Sequence, residues 1–239
     1  MYARAFRLSA ALLLATGAWA ARADVAAVPD TLGQRLMACS ACHARVDARG
    51  VAVNDAFFPR LAGKPAGYLA NQLRNFRDGR RRYPLMTYLV EHLSDDYLDE
   101  IAHYFAGQPP TALPPRAPDV SPQLLAHGRR LVHDGDAARA IPACVACHGA
   151  RLTGVQPFIP GLLGLPRGYL NAQFGAWRNG VRRAQAPDCM ATIAARLSQD
   201  DVAAITGWLA SQPPPIEARP LAAATQALPL ACGSVPASR

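Results

Sequence analysis

Two copies of one short motif concentrate the residues able to carry chemistry in this 239-residue chain. Each copy has two cysteines separated by two residues and followed directly by a histidine. Two thiols one helical turn apart add to the two vinyl groups of a haem, and the adjacent imidazole meets the iron from the same side. The pattern predicts two covalently attached haems, one at Cys39, Cys42 and His43 and one at Cys144, Cys147 and His148.

Three other uses of such cysteines fit the sequence less well. A zinc site needs four ligands, and neither half of the chain has another Cys–His pair at ligand spacing. A thioredoxin-like redox pair needs a βαβ context, of which the sequence has no sign. A disulfide within one motif would constrain almost nothing, because its two cysteines lie one turn apart. Covalent haem attachment is therefore the prediction.

The sixth position on each iron needs a further ligand, and methionine is an established partner of histidine in this role. Apart from Met1, the chain has three methionines, of which Met86 and Met190 follow the motif histidines by 43 and 42 residues. This matched placement predicts that both bind iron. The third, Met37, precedes the first motif on the same helix, and we expect it in the hydrophobic core.

Two prolines also occupy matched positions. The carbonyl of Pro59 or Pro160 can accept the Nδ1–H of the motif histidine, which fixes the tautomer and tunes the iron. A turn that blocks a helix explains the same prolines, and their spacing leaves both readings open. The remaining histidines have no counterpart in the other half and are expected to be surface or structural residues: His92, His103, His127 and His133.

Both motifs lie in an internal repeat. The string Pro-x-Leu-x-Gly, followed by Gly-Tyr-Leu, begins at Pro59 and again at Pro160, and each half closes on Gln-Pro-Pro, at Gln108 and Gln212. The offset between copies is 105 residues at the motif cysteines, 101 at the proline strings and 104 at the methionines. This drift indicates loop insertions within two copies of one module.

Each module is predicted to be helical. Serines followed by acidic residues mark helix starts, and glycines mark helix ends for segments predicted over 68–78 and 169–179. The predicted starts are Ser94 and Ser198, and the predicted stops are Gly79 and Gly180. No segment alternates convincingly like a strand. The predicted fold is all-α, a tandem repeat of two small helical domains of roughly 90 residues each.

A proline-rich spacer separates the two modules. Five prolines between residues 109 and 118 prevent a helix interior and favour an extended linker. The predicted organisation is a signal over residues 1–23, a first module over 24–108, a linker over 109–121, a second module over 122–213 and a carboxyl-terminal extension over 214–239.

The amino terminus has the three parts of a secretory signal. Arg4 and Arg7 precede an uncharged run from Leu8 to Ala20, and small residues lead to a predicted cut after Ala23, with a cut after Ala20 as the alternative. The apolar run is too short for a permanent membrane helix, although an uncleaved anchor is the other reading. The protein is therefore predicted to be exported to the periplasm.

The net charge of the chain indicates which kinds of partner it favours. The chain has 25 basic and 17 acidic residues, and loss of the signal with bound haem propionates would leave it only mildly basic. That surplus favours transient docking on acidic patches of redox proteins over nucleic-acid binding, and it leaves room for peripheral contact with a membrane.

The combined motifs resemble those of the dihaem cytochrome c4 family over about residues 31–213. The clearest likeness is Cys144-Val-Ala-Cys147-His148-Gly149, then Pro160-Gly-Leu-Leu-Gly164 and Met190-Ala-Thr-Ile-Ala. The resemblance implies two helical cytochrome c folds, haem propionates that face each other, and electron transfer from a respiratory complex to a terminal oxidase. By this likeness the iron ligands are His43 with Met86 and His148 with Met190, supported by Pro59 and Pro160.

Two features depart from the family pattern. Ala44 follows the first motif, where Gly149 follows the second, and the extension after residue 213 carries Cys232. Cys232 and Cys189 are the only cysteines outside the motifs. In an oxidising compartment, two cysteines outside the motifs favour a disulfide, with free thiols or an intermolecular bond as alternatives. The bond would fasten the extension beside Met190.

The leading functional hypothesis is electron transfer without substrate chemistry, so the protein is predicted not to be an enzyme. The alternatives are a catalytic dihaem oxidoreductase, peroxidase-like or thiosulfate-oxidising, and the cytochrome subunit of a dehydrogenase. A catalyst needs an open sixth position on one iron, which matched methionines argue against. The basic runs at residues 80–82 and 182–183 are either a docking rim or solvated helix ends.

Overall fold

The computed structural model describes residues 30–44, 58–110, 117–213, 218–222 and 227–236. The predicted signal lies outside these residues, as do the interior of the predicted linker and parts of the extension. Within them, no helix is long and apolar enough to cross a membrane.

The described part of the first module is helical. Its elements are α1 (Leu32–Arg35), α2 (Met37–His43), α3 (Ala66–Arg77), α4 (Pro84–Val90) and α5 (Asp95–Gly107). Helices α5 and α4 both pack against α3. Their buried side chains form the first core, which includes Leu69, Phe76, Leu98, Ile101 and Phe105.

The second module repeats this plan with additions. Its elements are α6 (Pro122–His133), a 3-10 turn (Ala137–Arg139), α7 (Cys144–His148), β1 (Gly154–Val155), β2 (Ile159–Pro160), α8 (Arg167–Arg178), α9 (Cys189–Arg196) and α10 (Gln199–Ser211). Helix α10 packs against α6 and α8. The second core includes Leu131, Val132, Leu170, Ile205 and Leu209. Burying each such side chain contributes about 1.5–3 kcal/mol, so each module has a core of its own.

The predicted helix signals lie where the helices begin and end. Ser94 and Ser198 cap α5 and α10 through their side chains, and Asp201 completes a capping box with Ser198. Gly79 and Gly180 follow α3 and α8 with φ of 72° and 67°, a conformation that favours glycine. Both helices begin two residues earlier than predicted, each directly after a proline.

A close helix crossing joins α6 to α10. A Cβ added at Gly128 would collide with the carbonyl oxygen of Ala204. Only glycine allows the two backbones to approach this closely, which brings Leu131 and Val132 against α10 in the second core.

One expectation from the sequence was wrong. Met37 is 62% exposed and not in the core, because α2 begins at this residue and turns its side chain outward, while Leu36 before it is buried. The second module also has a short antiparallel pair, β1 and β2, with Val155 opposite Ile159. Strands of two residues are too short for alternation to appear in a sequence.

Asp201 anchors three elements of the second module and gives a test of its stability. Its buried carboxylate accepts hydrogen bonds from Arg139 (2.6 Å), from His127 (2.7 Å) and from the backbone N–H of Ser198 (2.7 Å). Burial alone would raise the pKa of Asp201, but these hydrogen bonds outweigh it and lower the pKa below its usual value. His127 therefore has a structural role, as predicted.

We expect Asp201→Ala to destabilise the second module by about 3 kcal/mol at pH 7, because it removes a buried ionic partner and a helix cap. A group whose pKa is lowered by folding stabilises above its unfolded pKa and loses that effect as pH falls. The difference between parent and variant should therefore shrink below about pH 4. Denaturant unfolding at several pH values measures it, with the neighbouring exposed Asp200→Ala as control. An equal loss in both variants would refute the assigned role.

Candidate haem sites

The second motif lies in α7, which holds its thiols and imidazole at the wall of one cavity. Cys144 and Cys147 are not disulfide-bonded. The His148 ring is buried, and its Nδ1 lies 2.7 Å from the carbonyl oxygen of Pro160. A carbonyl can only accept, so Nδ1 carries the proton and the lone pair of Nε2 remains for a metal.

Burial also sets the protonation of these groups. It lowers the pKa of His148, only partly offset by the hydrogen bond to Pro160, so the imidazole is neutral and in its metal-binding form. Burial raises the pKa of the Cys144 thiol to about 12 and also raises that of Cys147. A redox-active Cys-x-x-Cys pair needs a lowered thiol pKa, so these cysteines suit thioether formation better than disulfide exchange.

Met190 lines the same cavity as the motif. It is the second residue of α9, whose start is fixed by the side chain of Asp188. That carboxylate accepts from the backbone N–H of Ala191 at 3.0 Å and of Ala184 at 2.7 Å. The helix cap thus holds Met190 in a defined place at the cavity wall.

The first motif has the same arrangement in α2. Cys39 and Cys42 are not disulfide-bonded, and Nδ1 of His43 lies 2.8 Å from the carbonyl oxygen of Pro59. Burial lowers the pKa of His43, so its ring is also neutral. Met86 is the third residue of α4, and it packs against the same core as Cys39.

Each module thus has one cysteine pair, one Nδ1–carbonyl hydrogen bond and one methionine at matched positions. The residues suit a covalently attached haem in donor type, in protonation and, for the second site, in a shared cavity. When bound, such a haem supplies an iron that changes between the ferric and ferrous states.

The two modules meet through a pair of matched arginines. The backbone N–H of Arg82 donates to Val181 at 2.8 Å, and that of Arg183 donates to Arg80 at 2.8 Å. These bonds place Arg81 opposite Arg182 in an antiparallel bridge.

Each of these arginines donates to residues of both modules. Arg81 donates to Gln72 and Gln173, each at 2.9 Å, and Arg182 donates to Gln173 at 2.7 Å and Gln72 at 3.2 Å. Their remaining donors reach the tyrosine of the opposite module, Tyr169 for Arg81 at 3.4 Å and Tyr68 for Arg182 at 3.3 Å. The interface therefore has approximate two-fold symmetry.

Sequence reasoning missed this interface. Arg81 is half-buried and Arg182 is 7% exposed. Neither residue therefore belongs to an exposed docking rim or to a solvated helix end. Each also stacks on an aromatic ring of its own module, Arg81 4.6 Å from the centre of the Phe76 ring and Arg182 4.0 Å from that of Trp177. The available signal was the constant offset of 101 residues between the tyrosines, glutamines and arginines of the two copies.

The cavity beside the second motif extends to this interface and is electropositive there. Lys64, Tyr68, Gln72 and Asn75 of the first module line it together with Arg182. Burial, followed by repulsion from nearby arginines, lowers the pKa of Lys64 to about 8. In the part of the chain that the structure describes, the acceptors of Arg182 are all neutral. A buried cation whose described acceptors are neutral, as for Arg182, fits a haem propionate.

The carboxyl-terminal extension covers the second site. Cys189 and Cys232 form a disulfide, with their Cα atoms 5.1 Å apart. Leu221 exchanges backbone hydrogen bonds with Gly154 (2.9 Å) and Gln156 (2.8 Å), beside β1. Farther along, the cavity wall includes Leu228, Leu230, Cys232, Ser234 and Val235. The extension also reaches the first module, where Asn71 donates to the carbonyl oxygen of Ser234 at 3.0 Å.

No protein-family profile matches the chain, but similar proteins are known. A thiosulfate dehydrogenase electron acceptor from Stutzerimonas stutzeri is 39% identical over 84% of this chain and 91% of its own. Cytochrome c4 from Pseudomonas aeruginosa is 36% identical over 72% of this chain and 82% of its own.

Solved structures give the same result. Reduced cytochrome c4 from Pseudomonas stutzeri aligns with a TM-score of 0.61 and 28% identity, over 74% of this chain and 95% of its own. A thiosulfate dehydrogenase from Marichromatium purpuratum aligns with a TM-score of 0.61 and 35% identity over 73% of this chain, which spans 36% of that longer protein. At these identities and coverages the chain belongs to the cytochrome c4 family, and it is a dihaem electron-transfer cytochrome whose two haems are covalently bound.

Proposed function

We propose that this protein is a periplasmic electron carrier that accepts electrons from a thiosulfate-oxidising dehydrogenase and passes them to a terminal oxidase. It does so without substrate chemistry of its own. The observation that carries the proposal is the complete duplication of the site: one motif, one Nδ1–carbonyl hydrogen bond and one methionine in each module.

In this proposal each residue has a specific role. The motif cysteines would attach the haems, and His43 with Met86 and His148 with Met190 would be the protein ligands of the two irons. Pro59 and Pro160 hold the histidine rings in one tautomer and orientation through the 2.8 Å and 2.7 Å hydrogen bonds.

The cavity geometry supports electron exchange between the modules. Lys64 and Tyr68 of the first module and His148 of the second line one continuous space. The cations at the interface would bind haem propionates between the two modules. The packed helices would hold the ligand residues in place in both redox states, which favours rapid transfer.

A dehydrogenase is the proposed donor because of the relatives. The protein from Stutzerimonas stutzeri that matches 84% of this chain is known as the electron acceptor of a thiosulfate dehydrogenase. Joining two thiosulfate anions through a sulfur–sulfur bond releases two electrons, which is the number that two ferric irons accept. One such oxidation therefore releases as many electrons as the two haems of one chain accept.

Catalysis by this chain is the second candidate, because a thiosulfate dehydrogenase is among its structural neighbours. This chain spans 36% of that protein, so most of the longer protein has no counterpart here. Methionine on both irons would leave no position for thiosulfate. Electron transfer is therefore the better supported function.

Stopped-flow mixing with the thiosulfate dehydrogenase of Stutzerimonas stutzeri tests the proposal. With thiosulfate present, we expect reduction of both haems, two electrons per chain, followed by absorbance of the reduced haem. Without the dehydrogenase, thiosulfate and an artificial acceptor should give no turnover above buffer. Turnover by this protein alone would favour the catalytic alternative, and failure of the dehydrogenase to reduce it would remove the proposed donor.

A further inference from the structure

One short stretch of the first module collects most of the exposed apolar surface. Among the described residues, six large apolar side chains are exposed, and four lie between residues 83 and 90. We define the α4 patch as these four: Tyr83, Leu85, Tyr88 and Leu89. Tyr88 is 73% exposed and Leu85 is 47% exposed. A contiguous apolar surface of this kind, rich in tyrosine, is typical of protein interaction sites.

The repeat shows a difference between α4 and the corresponding helix α9 of the second module. With the 104-residue offset of the methionines, Leu85 corresponds to Cys189, the residue to which the extension is bonded. Apolar residues of that extension, Leu228, Leu230 and Val235, then line the cavity beside Met190. The extension is bonded at this position of the second module, whereas the corresponding Leu85 of the first module is exposed.

Unpaired positive charge lies at one edge of the α4 patch. Arg82 directly precedes Tyr83, and Arg183 lies across the module interface, where its backbone N–H donates to Arg80. Both side chains are exposed, and within the described residues neither forms an ion pair, whereas neighbouring Arg80 pairs with Asp78 at 2.7 Å. The opposite end of α4 has Glu91, which lies 3.6 Å from His92.

We propose that the α4 patch is the docking site for the electron-transfer partner, and that the partner presents an apolar centre bordered by carboxylates. This inference rests on the proposed function and adds which haem exchanges electrons with the partner. A protein seated on α4 lies next to Met86 and therefore next to the first haem. The second haem, behind the extension, exchanges electrons through the first module.

A second copy of this chain is the other occupant that an apolar face allows. Such a dimer would bring two basic edges together in a chain that already has surplus positive charge, which repulsion opposes. An acidic partner gains attraction at the same edge, and this speeds its association. The charge distribution therefore favours a different, acidic protein.

Matched substitutions in the two modules test the proposal on the dihaem holoprotein. Tyr88 and Thr192 are exposed and equivalent in the repeat, so Tyr88→Glu and Thr192→Glu make the same change on α4 and on α9. The probe is the thiosulfate dehydrogenase of Stutzerimonas stutzeri, and the readout is the dissociation constant from calorimetry. We expect Tyr88→Glu to weaken binding by about tenfold or more and Thr192→Glu to change it less than about twofold.

A charge variant gives an independent readout. Arg82→Ala should slow association and reduce its dependence on salt, whereas Arg129→Ala, an exposed arginine of α6, should leave both unchanged. Unchanged circular dichroism and melting temperature would show that the variants fold.

The outcomes separate the two proposals. If the dehydrogenase fails to reduce the parent protein, the proposed function is wrong and the docking inference falls with it. If it reduces the parent but Tyr88→Glu and Thr192→Glu bind alike, only the docking inference is overturned. Sedimentation of the parent as a dimer that Tyr88→Glu dissociates would instead assign the α4 patch to a second copy of this chain.

Discussion

Met86→Ala and Met190→Ala should each open one iron to carbon monoxide in the reduced protein. If methionine fills the sixth position on both irons, the parent has no site for the gas, and each single variant gains one. We expect no binding to the parent, one molecule per chain in either variant, and two in the double variant. Absorbance titration counts the sites, and the change from no binding to stoichiometric binding is the largest effect predicted here.

The third methionine provides the control. Met37 is exposed and lies on α2, two residues before Cys39, so Met37→Ala should behave like the parent. A Met86→Ala variant that still excludes carbon monoxide would mean that another residue binds the first iron. Binding of the gas by the unmodified protein would show an open iron, and the catalytic alternative would then gain support.

Structural features that depend on residues close together in the sequence were predictable in this chain. Ser94 and Ser198 cap helices through side chains that reach only three residues along the chain, and Gly79 and Gly180 end helices through their own backbone conformation. The all-α tandem fold follows from such signals together with the repeat, and it is confirmed.

Features that depend on contacts between distant residues were not predictable. Arg182 is buried because Gln72 and Tyr68, more than 100 residues earlier, accept its hydrogen bonds. A basic run at a helix end has the same composition whether it faces water or a second module. The assignment of these arginines to a rim or a solvated end was therefore wrong for Arg81 and Arg182, while Arg82 and Arg183 are indeed exposed.

Loss of the Cys189–Cys232 disulfide should affect the second haem alone. The bond closes a loop with a sequence separation of 43 residues, which in the chain-entropy model stabilises the folded state by about 4 kcal/mol. Because Cys189 directly precedes Met190, we expect part of this stabilisation to act on the segment that holds the methionine. In the first module the corresponding residue is Leu85, and no described residue bonds the same segment to an extension.

If Met190 binds the second iron, cyanide can replace it only when that segment opens, so the binding rate of cyanide to the oxidised protein measures the effect. In the Cys189→Ser/Cys232→Ser double variant, we expect the phase that belongs to the second haem to become faster by roughly tenfold or more, which corresponds to about 1.4 kcal/mol of the model value. The phases can be assigned because Met86→Ala and Met190→Ala each change one of them. Both cysteines are replaced together, so that no free thiol remains beside Met190 to bind the iron.

The first haem is the internal control in the same molecule. Its cyanide phase should be unchanged by the double substitution, because its methionine lies in α4, away from the disulfide. Equal acceleration of both phases would indicate general destabilisation rather than a tethered segment. An unchanged second phase would mean that the hydrogen bonds of Asp188 to Ala184 and Ala191 already hold Met190 in place without the extension. The extension would then serve only to cover the cavity, and the two haems would have equally stable methionine ligands.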